Sequence, residues 1–243
     1  RAVAFGFDAL ATGHYAKVEE TGGQYGLLRP RDRRKDQTYF LYHIETDALP
    51  RILFPLGPYT KEEARAIASR AGLPVAAKAE SQDICFVTQK TYHDFMKARL
   101  GEIKPGRIVD RSGRCLGEHR GIAFYTVGQR GGLGISHPVP LYVLAIDVAK
   151  SEIIVGEKGE LLGKELIAGD LNRLRPDWPE AVQAKIRYRK KESPCRVTFE
   201  DGRARVVFED DQEAITPGQS IVFYDGDGVL GGGVIEEVIH GDR

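Results

Sequence analysis

Apolar and polar residues alternate most regularly in the last third of the chain. Residues 182–188, 195–199 and 204–208 each show this two-residue period. Such a period predicts β-strands that turn one face to a core. Asp201-Gly202 predicts a two-residue hairpin turn, and Thr216-Pro217-Gly218-Gln219 predicts a type II turn. Together these signals predict roughly five or six short strands that close into a small β-barrel.

The polar positions of the first run are largely basic. Lys185, Arg187 and Arg189 fall on the same side of the predicted strand, away from the core. Lysine and arginine on such a face suit contacts with nucleic-acid phosphates, and a merely solvated surface is the alternative. Cys195 falls on the apolar side of its own strand, so we expect it in the core.

A helical period is present earlier in the chain. Apolar residues between positions 64 and 71 recur at i, i+3, i+4 and i+7, which predicts a helix with one apolar face. Thr60 and Glu63 predict a capping box at its start. Gly72 and Pro74 predict its end.

The order of the elements divides the chain into three parts. Residues 8–12 predict a short buried strand, and a helix is predicted over 91–100, after a boundary near Lys90. The polar, glycine-bearing stretch 157–163 predicts a linker. Within the middle part, strands are predicted over residues 107–110, 115–116, 121–127, 141–147 and 152–155. The predicted domains are residues 1–89, 90–160 and 161–243.

Composition narrows the class of protein. The chain has 243 residues, 42% of them hydrophobic, and a formal net charge of zero. Its three cysteines, at positions 85, 115 and 195, have no CxxC spacing, which argues against a zinc site and a disulfide framework. No run of about 18 apolar residues and no signal peptide is visible, so we expect a cytoplasmic protein without a membrane partner. We predict no metal site, because Asp225-Gly226-Asp227-Gly228 offers too few oxygen ligands for a calcium loop.

The distribution of charge is more informative than its total. Residues 29–37 carry a net charge of +3 over nine residues, and Tyr39-Phe40-Leu41-Tyr42 follows directly. Phosphates attract lysine and arginine, and unstacked bases stack on aromatic rings, so this stretch is a candidate for RNA binding. A solvated loop is the alternative. A second candidate is the glycine-rich loop at 128–134, which would bring Arg130 to RNA. We expect His119 and Arg120 beside it to be surface or loop residues and not a catalytic pair.

Cys85 is the candidate for covalent chemistry. It follows Glu80-Ser81-Gln82-Asp83-Ile84, where a polar loop meets apolar residues. One interpretation is a small buried hydrophobic residue. The other is a nucleophilic or sulfur-carrying thiol, which needs a thiolate and some access. The neighbouring sequence leaves both open.

Seven short strings, in order, carry a resemblance that covers nearly the whole chain. They are Ala11 to Ala16, Lys35 to Leu41, Phe54 to Gly57, Ser81 to Phe86, Tyr125 to Arg130, Gly132 to Ile135 and Thr216 to Ser220. One such string is weak, but the ordered set is specific. The chain resembles the tRNA-specific 2-thiouridylases, the MnmA/TrmU family.

The resemblance implies a fold that is α/β plus all-β. Its first part is implied to be the C-terminal remnant of a phosphate-loop-type, Rossmann-like ATP pyrophosphatase domain. A small, mostly β, tRNA-binding domain and a C-terminal β-barrel would follow. The implied reaction is 2-thiolation of the wobble uridine of tRNA. ATP, with Mg²⁺, adenylates the C2 oxygen, and a cysteine persulfide charged by a sulfur-relay donor protein delivers the sulfur.

Residue roles follow from the resemblance as well. Cys85 is the implied persulfide carrier, and Gly13 is implied to lie against ATP. The implied tRNA contacts are His14, Lys35, Asp36, Gln37, Arg187, Tyr188 and Gln219. Cys115 and Cys195 match no catalytic position of the family.

The chain departs from the family pattern at its start. The family's phosphate loop, catalytic Asp and first cysteine would lie upstream of Arg1. The alternative function is therefore a non-catalytic tRNA-binding module. We expect this polypeptide alone to be inactive yet to bind tRNA weakly, and we expect the two later domains to have their cores wholly within residues 90–243.

Overall fold

A computed structural model describes residues 3–74, 99 and 103–239. The chain forms two compact units. The first contains Arg1–Lys78, Lys164–Asp210 and Pro217–Arg243, and the second contains Ala79–Gly163 and Asp211–Thr216. Cys85, the boundary near Lys90 and, apart from Arg99, the helix predicted over 91–100 lie outside the described residues.

Short elements make up both units. The described strands are β1 Leu10–Ala11, β2 Lys17–Thr21, β3 Gln24–Leu28, β4 Ile52–Leu53, β5 Gly106–Val109, β6 Cys115–His119, β7 Tyr142–Asp147, β8 Glu152–Gly156, β9 Leu162–Arg173, β10 Ala181–Lys185, β11 Ser193–Glu200, β12 Arg203–Glu213, β13 Ser220–Asp225 and β14 Gly228–Ile239. The described α-helices are α1 Thr38–Leu41 and α2 Lys61–Arg70. Single 3₁₀ turns cover Val3–Phe5, Arg33–Lys35, Thr46–Arg51, Ile122–Phe124 and Lys158–Leu161.

A closed barrel dominates the first unit. Its strands follow the order β13-β10-β11-β12-β9-β14, and pairing of β13 with β14 closes the ring of six. Asp201 (φ 49°) and Gly202 (φ 76°) both have positive φ, as a type I′ turn requires, and join β11 to β12. Gly218 (φ 85°) supplies the positive φ of the predicted type II turn. The barrel prediction is therefore confirmed.

The apolar positions of the alternating sequence lie in the barrel interior. Ala204, Val206 and Phe208 on β12 are buried, as is Cys195 on β11. Cys195 is buried, which confirms its predicted place in the core, and this burial raises the pKa of its thiol to about 12. The run at 182–188 departs from its prediction, because β10 ends at Lys185 and the following residues turn, with the Lys190 N–H donating to the Arg187 carbonyl (3.1 Å).

The core under one side of the barrel is shared with the N-terminal segment. Leu27, Tyr42 and Leu49 are buried in one cluster with Val222 and Tyr224 of β13. The β2–β3 hairpin also extends the sheet, since Leu28 pairs with Gly228 at the start of β14. The expectation that this core lies wholly within residues 90–243 is wrong, because apolar residues far apart in sequence close it together.

Tyr42 shows how tightly the two parts fit. A Cβ on Gly232 would lie 2.6 Å from the Tyr42 ring and 2.5 Å from the Ile221 carbonyl oxygen, so only glycine allows this approach. The Tyr42 hydroxyl donates to Ser220 Oγ (3.1 Å) and to the Gly233 carbonyl (3.2 Å). Asn172 Nδ2 donates to the Tyr42 carbonyl (2.5 Å), which fixes the chain just after α1 to the barrel.

Two local predictions for the N-terminal segment have different outcomes. The capping box is confirmed, with the Glu63 N–H donating to Thr60 Oγ1 (3.2 Å) and the Thr60 N–H donating to Glu63 Oε2 (2.8 Å). The strand at 8–12 is shorter than expected and is not buried: β1 covers Leu10–Ala11, both exposed, and pairs in parallel with β4. The sequence pattern predicts which residues of a strand are apolar, but it does not show whether another element covers them.

The second unit is built on a four-stranded sheet of order β6-β5-β8-β7. Ile108, Val143, Ile153 and Val155 form its core with other buried apolar residues. Residues 121–127 form a 3₁₀ turn and coil instead of the predicted strand. The predicted linker at 157–163 is structured: it forms a capped 3₁₀ turn with Leu161 buried, and then β9 begins.

His119 was expected to be a surface or loop residue, but it lies at the end of β6 and is buried. Its Nδ1 accepts from the Gly121 N–H (3.0 Å), and its Nε2 lies 3.0 Å from the Ser151 carbonyl oxygen. These partners require a neutral ring with the proton on Nε2. The side chain therefore holds backbone segments together, which explains its burial.

Candidate nucleic-acid interface

Helix α1 lies at the centre of the predicted RNA-contacting residues. Adjacent residues on a helix point about 100° apart, so Tyr39 and Phe40 face different surroundings. Tyr39 is buried, and its hydroxyl donates to the Ser220 carbonyl (2.8 Å). Burial raises the pKa of Tyr39 to about 12, although Arg187 nearby opposes that shift. Phe40 is 57% exposed.

Hydrogen bonds between Tyr15 and Gln37 place the segment that carries Gly13 and His14 next to this region. Gly13 and His14 follow the carboxyl end of β1, and β1 pairs in parallel with β4. The Tyr15 N–H donates to Gln37 Oε1 (2.8 Å), and the Gln37 N–H donates to the Tyr15 carbonyl (3.1 Å). His14 itself is exposed, with its Nδ1 2.8 Å from Thr12 Oγ1. The structure thus places the 13–14 segment beside the 35–37 segment.

Asp36 and Gln37 already have partners inside the protein. Asp36 Oδ1 accepts from the Thr38 N–H (2.9 Å) and hydroxyl (2.6 Å), which fixes the start of α1. Gln37 uses its side-chain oxygen for Tyr15, as described above. These contacts give both residues a structural role, whether or not they also contact RNA.

The barrel contributes Tyr188 and Arg187 to the same region. The Tyr188 ring lies 4.5 Å from the Phe40 ring and 6.2 Å from the Tyr39 ring, centroid to centroid. Lys185 Nζ lies 5.6 Å from the centre of the Tyr188 ring. Because β10 ends at Lys185, the predicted basic stripe along one strand is wrong, and Arg187 and Arg189 lie on the turn that follows.

Gln219 completes the group from the far end of the chain. It is exposed on the turn that precedes β13, and the next residue, Ser220, accepts the hydrogen bond from Tyr39. All seven predicted tRNA contacts, together with Gly13, therefore lie in one unit, and most are placed next to α1. Arg130 is exposed in the other unit.

A partly buried network of charged side chains lies next to this region. Arg29 donates to Glu192 Oε1 (2.6 Å), lies 3.7 Å from Asp36 Oδ2, and stacks over Tyr224 with its Cζ 4.0 Å from the ring centre. Burial lowers the pKa of Lys185, and the negative charges of Asp36 and Glu192 oppose that effect. Two cations and two carboxylates thus balance one another here.

The arginines of the basic stretch are mostly engaged with acidic residues. Arg31 pairs with Glu63 (3.0 Å), Arg34 with Glu62 (3.1 Å), and Arg33 with Asp227. Asp32 is buried, and hydrogen bonds from Arg34, despite burial, lower the pKa of its carboxyl group. The net charge of +3 counted along the sequence is therefore compensated by residues from elsewhere.

The sequence pattern did not identify the pairing of Phe40 with Tyr188 or the role of Glu192. The aromatic residues at 39–42 indicated base stacking only in general terms. Their spacing on the helix determines which ring is buried, Tyr39, and which is exposed, Phe40. Nothing near position 192 indicated a partner for Arg29. Within residues 3–74, 99 and 103–239, no group of three or more His, Cys, Asp or Glu is arranged to hold a metal ion. None of the helices in the same residues is long and apolar enough to cross a membrane.

Comparison with known protein families divides the chain into three modules. Residues 1–89 match the tRNA methyl transferase HUP domain, residues 93–157 the tRNA methyl transferase PRC-barrel domain, and residues 164–235 the aminomethyltransferase beta-barrel domain. The third match covers most of the six-stranded barrel, whose strands span residues 162–239. The fold and these matches define a modular protein with HUP, PRC-barrel and β-barrel parts.

Individual relatives identify the family. The chain is 55% identical over 235 residues to the tRNA-specific 2-thiouridylase MnmA 1 of Syntrophus aciditrophicus, covering 97% of the chain and 63% of that relative. It is 49% identical to MnmA of Carboxydothermus hydrogenoformans (98% of the chain, 67% of the relative) and 49% identical to MnmA of Moorella thermoacetica (98% and 69%). The chain belongs to the tRNA-specific 2-thiouridylase MnmA family.

Proposed function

We propose that this protein takes part in ATP-dependent 2-thiolation of the wobble uridine of tRNA, and that the surface around α1 binds the tRNA. The observation that carries the proposal is the convergence of residues from four separate stretches, at 13–14, 35–37, 187–188 and 219, in one unit. A binding surface assembled in this way suits a large, folded RNA.

The surroundings of Gly13 fit the approach of a nucleotide. A Cβ at this position would meet only Leu56 Cδ1, at 3.8 Å, and the glycine does not need a positive φ. Neither backbone conformation nor crowding among the described residues therefore explains a glycine there. Close approach of a ligand such as ATP to the backbone at the end of β1 would explain it. When bound, ATP would supply the adenylyl group that turns the uridine C2 oxygen into a leaving group.

Cys85 is the proposed sulfur carrier. Its persulfide would attack the activated C2 carbon, and the C2–O bond to AMP would break as the new C–S bond forms. A second thiol would then attack the inner sulfur of the former persulfide, which leaves the outer sulfur on the base and a disulfide on the protein. Reduction of that disulfide by a cellular dithiol would free both thiols, and a sulfur-relay protein would then transfer the outer sulfur of its own persulfide to the Cys85 thiol. A reducing, cytoplasmic setting suits this chemistry.

The test introduces a Cys85 substitution into the chromosomal gene for the protein. We expect Cys85→Ser to abolish 2-thiouridine in tRNA, as measured by mass spectrometry of tRNA digests. Cys115→Ser is the matched control, because Cys115 is exposed and outside the proposed chemistry. Undiminished 2-thiouridine in the Cys85→Ser strain would refute the role of this cysteine.

A second test addresses Gly13. Gly13→Ala should leave the free energy of unfolding almost unchanged, because the added methyl group has room, and should weaken ATP binding measured by calorimetry. Gly57→Ala is the contrasting control: its Cβ would collide with the Ala16 carbonyl oxygen, so it should lower stability instead. If Gly13→Ala is unstable, crowding explains the glycine and the nucleotide does not.

The second candidate function is a tRNA-binding module without catalysis. The observation that favours this function is the assembled surface around α1, which can bind RNA without a reactive cysteine. Incubating the purified chain with tRNA, ATP and a persulfide donor separates the two functions. Thiolated product supports the enzyme; a stable complex without product supports the module for this polypeptide.

A further inference from the structure

The rings of Phe40 and Tyr188 form a continuous aromatic surface at the edge of α1. Their centroids are 4.5 Å apart and their planes meet at 42°. Phe40 is 57% exposed, and Tyr188 is partly buried against the shared core. An isolated exposed phenylalanine is ordinary on a protein surface, but this one belongs to a cluster of three rings that includes the buried Tyr39, with Tyr39 and Phe40 in an edge-to-face arrangement.

The surface is held rigidly in place. Tyr39 is fixed by its hydrogen bond to the Ser220 carbonyl, and it occupies the buried side of α1. Phe40 follows it directly on the helix, about 100° further round, so its side chain starts from the exposed side. Asp36 fixes the first turn of the same helix through Thr38. A pre-organised ring loses little conformational entropy when a ligand binds.

The exposed charges near the two rings are positive, and the partly buried charges around Lys185 balance one another. Lys185 Nζ lies 5.6 Å from the centre of the Tyr188 ring, with Asp36 and Glu192 as its acidic neighbours. Arg189 and Lys191, on the turn that carries Tyr188, are exposed. An exposed aromatic face with cations beside it matches a nucleotide, which presents a flat base and a phosphate. An apolar peptide would gain nothing from the cations.

We propose that Phe40 and Tyr188 form a stacking platform for one unpaired nucleobase of the bound RNA. This inference rests on the proposed tRNA-binding function and specifies part of its surface. The base must be unpaired, because a base inside a helical stem has both faces covered by its neighbours. Stacking would be tolerant of base identity, since every base presents a π-face.

The experiment measures binding of the purified chain to a tRNA transcript by fluorescence anisotropy at several salt concentrations. Phe40→Leu keeps an apolar side chain against Tyr188 and removes the π-face, so affinity should fall about 5- to 150-fold. Phe40→Trp should bind within about twofold of the parent chain, since another aromatic ring can stack. Phe199→Leu is the control, because Phe199 is an exposed ring that packs against Trp178 instead.

The salt dependence separates stacking from charge. Removing a ring releases no counterion, so the slope of log K against log salt should be the same for Phe40→Leu and the parent chain. As a second readout, an unpaired single-stranded RNA should compete with tRNA for the parent chain, and a perfect duplex of the same length should compete less well.

The outcomes are distinguishable. A parent chain that does not bind tRNA refutes the proposed function and the platform with it. If the parent binds tRNA but Phe40→Leu loses less than about threefold, or if Phe40→Trp or Phe199→Leu loses as much as Phe40→Leu, the platform alone is refuted. Equal competition by the duplex, or a changed salt slope, refutes it as well.

Discussion

Two stretches of this chain are rich in basic residues, and their surroundings differ. In residues 29–35 the arginines pair with carboxylates that come from α2, from the turn before β14 and from Glu192. In residues 185–191, which begin at the end of β10, Lys185 Nζ lies 5.6 Å from the centre of the Tyr188 ring, and that ring contacts Phe40. The ion pairs of the first stretch connect separate elements of the fold. We propose that the second stretch faces the RNA.

This difference shows that a local count of charges does not identify a binding site. The decisive partner of Arg29 is Glu192, 163 positions away in sequence. A cation beside a carboxylate attracts a phosphate less than a lone cation does, because the two opposite charges act on the phosphate together. The predictions below test this contrast.

The largest expected effect is on stability. Arg29→Ala removes the partner of Glu192 and the cation stacked on Tyr224, and it leaves a carboxylate that is only 31% exposed. We expect the free energy of unfolding in urea to fall by about 3 kcal/mol, the lower end for a broken buried pair because Glu192 keeps some access to water.

Arg31→Ala is the matched control for this loss. Its ion pair with Glu63 is largely exposed (59% and 42% for the two side chains), so it should cost less than about 1 kcal/mol. Equal losses for the two variants would mean that burial does not distinguish the arginines.

The next effect concerns RNA binding. Arg187→Ala should lower the steepness of log K against log salt for tRNA by roughly 0.7 to 0.9, the value for one phosphate contact. Arg31→Ala should leave the slope unchanged, because Arg31 is paired with Glu63. A slope that falls for Arg31→Ala and not for Arg187→Ala would reverse the roles that we assign to the two stretches.

The smallest effect is a dependence on pH. Because hydrogen bonds from Arg34 lower the pKa of Asp32 in the folded chain below its ordinary value of 3.8, the charged carboxylate stabilises the fold above that value. This stabilisation is lost as the pH falls through the lower, folded pKa. Asp32→Asn should therefore show a weaker loss of stability between neutral and strongly acidic pH in urea titrations.

Asp177→Asn, at an exposed position, is the control for that titration. If the parent chain and Asp32→Asn lose stability in parallel as the pH falls, Asp32 does not contribute to the acid sensitivity of the fold.

Much of the fold could be predicted from local sequence. The hairpin at Asp201-Gly202, the capping box at Thr60 and the burial of Cys195 each depend on a few neighbouring residues, and all three are confirmed. The end of β10 could not be predicted, because the alternation continues to Tyr188 although the strand stops at Lys185. Tyr188 is apolar in the pattern, yet it packs against Phe40 of α1, which no nearby residue indicates.

By itself, the sequence determined the alternating strands, the turns, the helix cap and the ordered strings that place the chain in its family. These features act over a few residues, since hydrogen-bond geometry and side-chain period are local. Only the tertiary structure decided that the N-terminal segment shares a core with the barrel, that Glu192 neutralises Arg29, and that Phe40 meets Tyr188. Such pairs form because burial of apolar surface and desolvation of charge depend on what lies nearby in space, whatever the distance along the chain.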